Sequence, residues 1–275
     1  MSRITASRLI DKPQFRRLTG VQPDIFRHMV KRLQRSWDRQ EAAKRRSGRP
    51  HDIGGLEEHL LLLLIIYRCH LTQDFMSLLF GVDKSTISRS LKRIEKPARR
   101  VLGVTKSIKV TQEEAHALLI DATEQPIQRP QRGQKPYYSG KKKQHTMKNE
   151  VVTSELGRII SASHSVPGSE HDLTLRRRGP PLPQGARGYA DSGYQGYQND
   201  HPDLDIPYKT SKYHQLTEEE KEYNSALSTF RVRVEHAIRR IKIFCICSEK
   251  FRYPRASHST KFAIVAGIAN LVAGF

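Results

Sequence analysis

The spacing of apolar and polar positions changes character near residue 110. Before it, the period is helical. Val21 to Trp37 places Ile25, Phe26, Met29, Val30 and Leu33 on one stripe, with Pro23 suited to a first turn. Leu56 to Cys69 is strongly apolar and of helix length. Thr72 to Phe80 predicts a short helix with Phe75, Leu78 and Leu79 facing inward. Gly81 ends it, and Asp83 is placed to cap the next helix, which begins at Lys84 and buries Ile87, Leu91 and Ile94. After Val110 the period shortens toward that of strands. Ala117–Ile120, Gln125–Gln128, His145–Val152, Ile159–Val166, Arg187–Ala190 and Ile206–Lys209 are strand candidates. Ser169 is placed to cap a helix holding His171 and Leu173, and a long helical pattern runs from Thr217 to about Ile246. Strands and helices in this order suit a mixed α/β sheet.

A short helix, a glycine turn and a second helix that opens with polar residues describe a helix-turn-helix. Its outward residues Lys84, Ser85, Thr86, Ser88, Arg89 and Lys92 have the lengths and donors for a DNA major groove and its phosphates. An ordinary helical hairpin would show the same apolar stripe. Charge favours the first reading. The 275 residues hold 48 Lys+Arg against 28 Asp+Glu, a net +20. Residues 1–110 hold 24 of those cations and 10 of the acids, so most of the excess lies there. Such a balance points to a polyanionic partner, most often nucleic acid.

Other classes recede. The opening MSRITASRLIDK has no apolar core for a secretory signal. The longest apolar run, Leu60 to Ile66, is far shorter than the roughly 20 residues of a membrane span. Cys69, Cys245 and Cys247 form neither a disulfide framework nor a CxxC pair. The expectation is an intracellular protein without a membrane partner. Domains are expected at 1–50 (a helical segment and basic linker), 51–108 (helix-turn-helix) and 109–275 (catalytic).

Three carboxylates carry the candidate chemistry. Asp121 follows the apolar run Ala117–Ile120, and Asp191 follows Gly188–Ala190, with Ser192–Gly193 turning the chain away. A lone aspartate after a strand is more often a turn or cap residue, and two raise the stakes. On the long helix, Val234, Ile238, Ile241 and Cys245 form the inward stripe; Arg231, Glu235, Arg239 and Lys242 form a second. At about 100° per residue, Arg231 and Lys242 fall within about 40° of Glu235. A solvated salt-bridge ladder would look alike. Three carboxylates can also hold two Mg²⁺ ions, which suit in-line displacement at phosphorus. The loop at 129–143 adds Lys141, Lys142 and Lys143, with Lys148 beyond it, beside Tyr137 and Tyr138, a mixture suited to nucleic-acid backbone and base stacking.

Five ordered segments together resemble the DDE transposases of the fifth bacterial insertion-sequence family, related to Harbinger transposases. They are LIDATEQPI around Asp121, YSGKKKQHTMK at 138–148, GSEHD at 168–172, YADSGYQGY at 189–197 and RVRVEHAIRRIK at 231–242. Asp121 and Asp191 are 70 residues apart, and Glu235 follows 44 later. The resemblance implies an RNase H-like mixed-sheet catalytic domain preceded by an all-α helix-turn-helix domain. It implies that Asp121, Asp191 and Glu235 are the catalytic, metal-holding triad, with Arg231 and Lys242 as flanking DNA contacts. It also implies two divalent ions, Mg²⁺ with Mn²⁺ able to substitute. The partner is double-stranded DNA, both element ends and target, bound by a homodimer or larger assembly in the bacterial cytoplasm, at the nucleoid. Related enzymes often carry Tyr seven residues before the Glu; here Ser228 stands there. The competing expectations are a domesticated, inactive DNA-binding relative and a phosphohydrolase acting on small substrates.

Overall fold

The computed structural model describes residues 3–43, 51–211 and 215–275. Most of the expected basic linker at 41–50 therefore lies outside the described residues. The chain forms two compact units. One comprises residues 1–103, 241–249 and 260–275; the other comprises 104–240 and 250–259. This division departs from the expected catalytic domain of 109–275. The C-terminal residues Phe262, Ile264, Val265, Ile268 and Leu271 are buried, and they belong to the unit of the N-terminal helices.

The first unit begins with α1 (Ala6–Leu9), α2 (Gln14–Thr19), α3 (Pro23–Ala42), α4 (Leu56–Cys69), α5 (Gln73–Phe80) and α6 (Lys84–Val101). Helix α4 is buried on nearly every side, as its continuous apolar run requires. The Thr72 hydroxyl accepts from the Phe75 amide and starts α5; Gly81, in the left-handed region at φ 60°, ends it. The face of α5 differs from expectation. Met76 and Phe80 are buried, whereas Phe75 and Leu78 are 48% and 73% exposed. Met76 and Phe80 stand four apart and claim the inward stripe; Phe75 and Leu78 fall outside it. Asp83 occupies the N-cap of α6 without a side-chain bond, and its carbonyl takes the Thr86 and Ile87 amides. Ile87, Leu91 and Ile94 are buried as expected. A buried polar cluster joins Glu95 to Lys261 (2.8 Å) and to the Tyr67 hydroxyl (2.9 Å).

The second unit holds α7 (Gln112–Ala115), a mixed sheet, α8 (Asp172–Arg178) and most of α9 (Glu218–Lys242). The strands are β1 (Leu118–Pro126), β2 (Tyr138–Ser139), β3 (Gln144–Ser154), β4 (Ile159–Ala162), β5 (Val166–Pro167), β6 (Gly188–Tyr189) and β7 (Leu204–Asp205). The remaining helix, α10 (His258–Val272), begins here and passes into the first unit. Sheet order is β2-β3-β1-β6-β7, with β4 and β5 also on β3. β1 and β3 pair antiparallel; β1–β6 and β6–β7 are parallel. This mixed sheet with helices is consistent with an RNase H-like fold.

Three details depart from the sequence pattern. The two runs at 117–128 are one continuous strand. Strand β7 lies just ahead of the expected 206–209. Ser169 does not cap α8, because His171 holds that position and the Ser169 hydroxyl donates to Pro136 O (2.6 Å). The core under the sheet gathers Leu118, Ile120, Val152, Ile160, Ala190, Tyr194 and Leu204. Among the described residues no helix is long and apolar enough to cross a membrane.

Candidate active site and nucleic-acid interface

Asp121 and Asp191 are brought together by strand register. Leu118 pairs with Gly188 and Leu119 with Tyr189 in the parallel β1–β6 ladder. Each aspartate is the third residue after the first pair, so both stand at the same level along adjacent strands. The apolar residues 118–120 anchor β1 with no exposed surface, and Asp121 emerges at the edge of that core. Its Oδ1 accepts from the Ala122 amide (2.9 Å). Asp191 opens a short 3-10 turn, and its Oδ1 accepts from the Gly193 amide (2.8 Å). Glycine at 193 leaves room for both carboxylates. A Cβ there would lie 2.8 Å from Asp172 Oδ2 and 2.9 Å from Asp191 Oδ1.

A third carboxylate, Asp172, therefore stands close by. Asp172 is the first residue of α8, where the helix N-terminus favours a negative side chain. Lys148 of β3 reaches into the group, with Nζ 2.8 Å from Asp172 Oδ1, 2.6 Å from Glu170 O and 3.8 Å from Glu124. Arg231 of α9 approaches Asp121 at 3.8 Å. Asp121, Glu124, Lys148, Asp172 and Asp191 line one cavity of about 270 Å³. Burial pushes the Asp121 carboxyl up to about 6; Arg231 and the Ala122 amide pull it down, and Asp191 and Asp172 push it up.

The base of the site is a buried ion pair. Arg176 of α8 meets Glu150 of β3 at 2.6 Å, both nearly without exposure, and Arg176 also donates to Pro180 O. Tyr194, fully buried beside them, has its phenol pushed well up by burial and the surrounding carboxylates. This pair fixes α8 against β3 and so fixes Asp172 and Lys148. Sequence reasoning missed Glu124 and the Lys148–Asp172 pair. The GSEHD segment followed by a helix was the available signal for Asp172.

The remaining sequence-predicted residues are placed as follows. Glu235 is exposed on α9 and does not line the cavity. Among the described residues, no three His, Cys, Asp or Glu side chains are arranged to hold a metal ion. The donor set that is assembled, Asp121 with Asp191, still fits a hard divalent cation. Mg²⁺ is commonly bound through one or two carboxylates together with substrate phosphate oxygens. Arg239 and Lys242 are exposed. Lys141, Lys142 and Lys143 are exposed beside the cavity, and Lys141 lines it. Lys148, by contrast, is buried and committed to its carboxylates, so it is not a free backbone contact.

On α6, Lys84, Ser85, Arg89 and Lys92 are exposed, and Thr86 and Ser88 are half-buried. Lys84 pairs with Asp74 (2.8 Å) at the surface, a bond of little strength in water. Arg89 donates to the Thr86 hydroxyl (3.1 Å). Arg93 and the exposed Lys96 extend this face, and sequence reasoning had passed over both.

A basic helix-turn-helix and a mixed sheet with paired aspartates at adjacent strand ends define the class: a DNA-processing endonuclease. The chain belongs to the DDE superfamily of endonucleases, whose family model matches residues 120–272. The helix-turn-helix of DDE superfamily endonucleases matches residues 55–98. Over its whole length the chain is similar to a probable transposase for insertion sequence element IS702 from Microchaete diplosiphon. The identity is 30%, covering 98% of this chain and 97% of the relative. No solved structure matches.

Proposed function

We propose that the protein is a DNA transposase that binds the terminal inverted repeats of its own insertion sequence. It hydrolyses phosphodiesters at the element ends to expose 3′-hydroxyls, then joins those hydroxyls to target DNA. The observation that carries this reading is the register-matched pair Asp121 and Asp191, opening on one cavity with Lys148 beside it. The whole-length similarity to a probable transposase supports it.

Asp121 and Asp191 are the residues that would hold divalent cations, Mg²⁺ or Mn²⁺. Two such ions supply Lewis acidity to the attacking and leaving oxygens of a phosphoryl transfer. Glu235 follows Arg231 by about one helical turn on α9 and completes the acidic set. Lys148 and Arg231 balance the carboxylates of the free site, and Lys141, Lys142 and Lys143 hold the DNA backbone beside it. Helix α6 reads the repeat through Lys84, Ser85, Thr86, Ser88, Arg89 and Lys92. Arg231 and Lys242 add backbone contacts from α9. No side chain forms a covalent bond to DNA, because water and then a 3′-hydroxyl are the nucleophiles. Pairing two element ends calls for at least a homodimer.

The test is cleavage of a linear DNA fragment carrying the element ends. Asp121→Asn, Asp191→Asn and Glu235→Gln are each expected to abolish Mg²⁺-dependent cleavage and to spare end binding. Cleavage retained in any one of them removes that residue from the triad.

A further inference from the structure

Beside the catalytic cavity lies a second, larger hollow of about 940 Å³. The two share Gly140 and Ser169 at their border. The hollow is walled by Tyr138 and His145 and edged by Arg129 and Lys135; no carboxylate lines it. Its walls are built rather than loose. Tyr138 of β2 pairs in register with His145 of β3, and their rings meet edge-on at 5.6 Å. Pro136 O accepts from both the amide and the hydroxyl of Ser169 (3.1 and 2.6 Å). Arg129 donates to the Gln134 side chain (2.9 Å) and closes the loop's base. The neighbouring Tyr137 is already covered, since the Arg255 guanidinium sits 4.5 Å from its ring centre. Tyr138 is not: it is 46% exposed. At the border Gly140 is exposed, and nothing lies within 4 Å of the position a Cβ on it would take.

We propose that this hollow receives one nucleobase extruded from the DNA next to the phosphate held in the catalytic cavity. A base is flat and aromatic, and its own phosphate tethers it to the backbone. Tyr138 supplies a ring on which it stacks, His145 and Ser169 offer hydrogen-bond partners, and Arg129 and Lys135 neutralise the flanking phosphates. Stacking on one aromatic ring offsets much of what unstacking and unpairing a base costs. This rests on the reading of Asp121 and Asp191 as the cleavage site, which sets where the scissile phosphate lies.

The test uses the full chain without metal and duplexes of the DNA bordering the coding region. 2-Aminopurine replaces one base at a time near the element end. Wild type and Tyr138→Phe are expected to change its fluorescence severalfold at a single position, and Tyr138→Ala to lose that change. Tyr138→Leu, which keeps an apolar filling for β2, is expected to lose it too, so a folding defect in the alanine variant does not decide the matter. A signal absent from wild type, or kept in both variants without the ring, overturns the proposal. Cleavage is read separately after adding Mg²⁺. A position-specific signal without cleavage overturns the catalytic reading while the base pocket stands. Cleavage without the signal does the reverse.

Discussion

Asp121 combines two demands that conflict. Its burial at the end of an apolar strand raises its carboxyl to about 6 from an ordinary 3.8, so the ionised form is held at a cost. Between those values the folded state binds the extra proton, and stability falls as pH rises through the window. Asp121→Asn removes the charge and keeps an oxygen for the Ala122 amide. Above pH 6 this variant is therefore expected to be more stable than wild type, by about 3 kcal/mol at the conversion of 1.36 kcal/mol per pKa unit. The gain should disappear below pH 4. Thermal melts of both proteins at pH 4 and pH 7.5 check it; equal melting temperatures at pH 7.5 would refute the strain. Gly193 gives a second prediction at this scale. Gly193→Ala would drive a methyl between Asp172 and Asp191. Cleavage is expected to fall at least tenfold while the melting temperature moves little, because one of the two carboxylates must turn away. Unchanged cleavage would show that the site tolerates that movement.

Elements were legible where one physical cause dominated. Helix α4 has the expected bounds, because a run that is apolar on all sides has one place to go. Helix α6 buries the expected Ile87, Leu91 and Ile94. Strand β3 was harder: Thr146, Lys148, Asn149, Glu150 and Thr153 are all buried, so it shows no alternation of apolar and polar faces. Their burial is stabilised by partners remote in sequence: Lys148 by Asp172, 24 residues on, and Glu150 by Arg176, 26 residues on. The site divides the same way. Asp121 and Asp191 were readable because an apolar run ends abruptly in an acid. Glu124 and the Lys148–Asp172 pair were not: the β1–β3 register sets Glu124 across from Lys148, and the packing of α8 on β3 brings Asp172 to it. Helix α6 makes its own prediction. Arg89→Ala and Lys92→Ala should each weaken DNA binding and lower the slope of log affinity against log salt by about one. Anisotropy titrations at several KCl concentrations measure this, and an unchanged slope would place that side chain off the backbone. Helix α10 makes another. A Cβ at Gly267 would lie 1.7 Å from Leu102 O, so the helix touches backbone there. Gly267→Ala is expected to destabilise the first unit by about 3 kcal/mol, read as a lower urea midpoint.

At the scale of the whole molecule, the charge and the core are divided differently. The basic excess belongs mostly to residues 1–110, which suggests an N-terminal DNA-binding piece that could stand alone. The core does not allow it. The unit of residues 1–103 is completed by 241–249 and 260–275. These later segments bury Ile241, Phe244, Ile246, Phe262, Ile264, Val265, Ile268 and Leu271. At about 1.5–3 kcal/mol for each large apolar side chain, their removal matches or exceeds the about 5–15 kcal/mol that holds a domain together. Lys261 also leaves with them, and Glu95, buried beneath it, loses that ion pair and keeps the Tyr67 hydroxyl. A fragment of residues 1–103 is therefore expected to lack a cooperative thermal transition and to bind a hydrophobic dye. Adding a peptide of residues 241–275 should restore helical signal and, with it, DNA binding. If the fragment melts cooperatively and binds DNA alone, the C-terminal segments are accessory to that unit. If it does so only with the peptide, the helix-turn-helix is built from both ends of the chain. DNA recognition then depends on the residues that follow α9, the helix that carries Glu235.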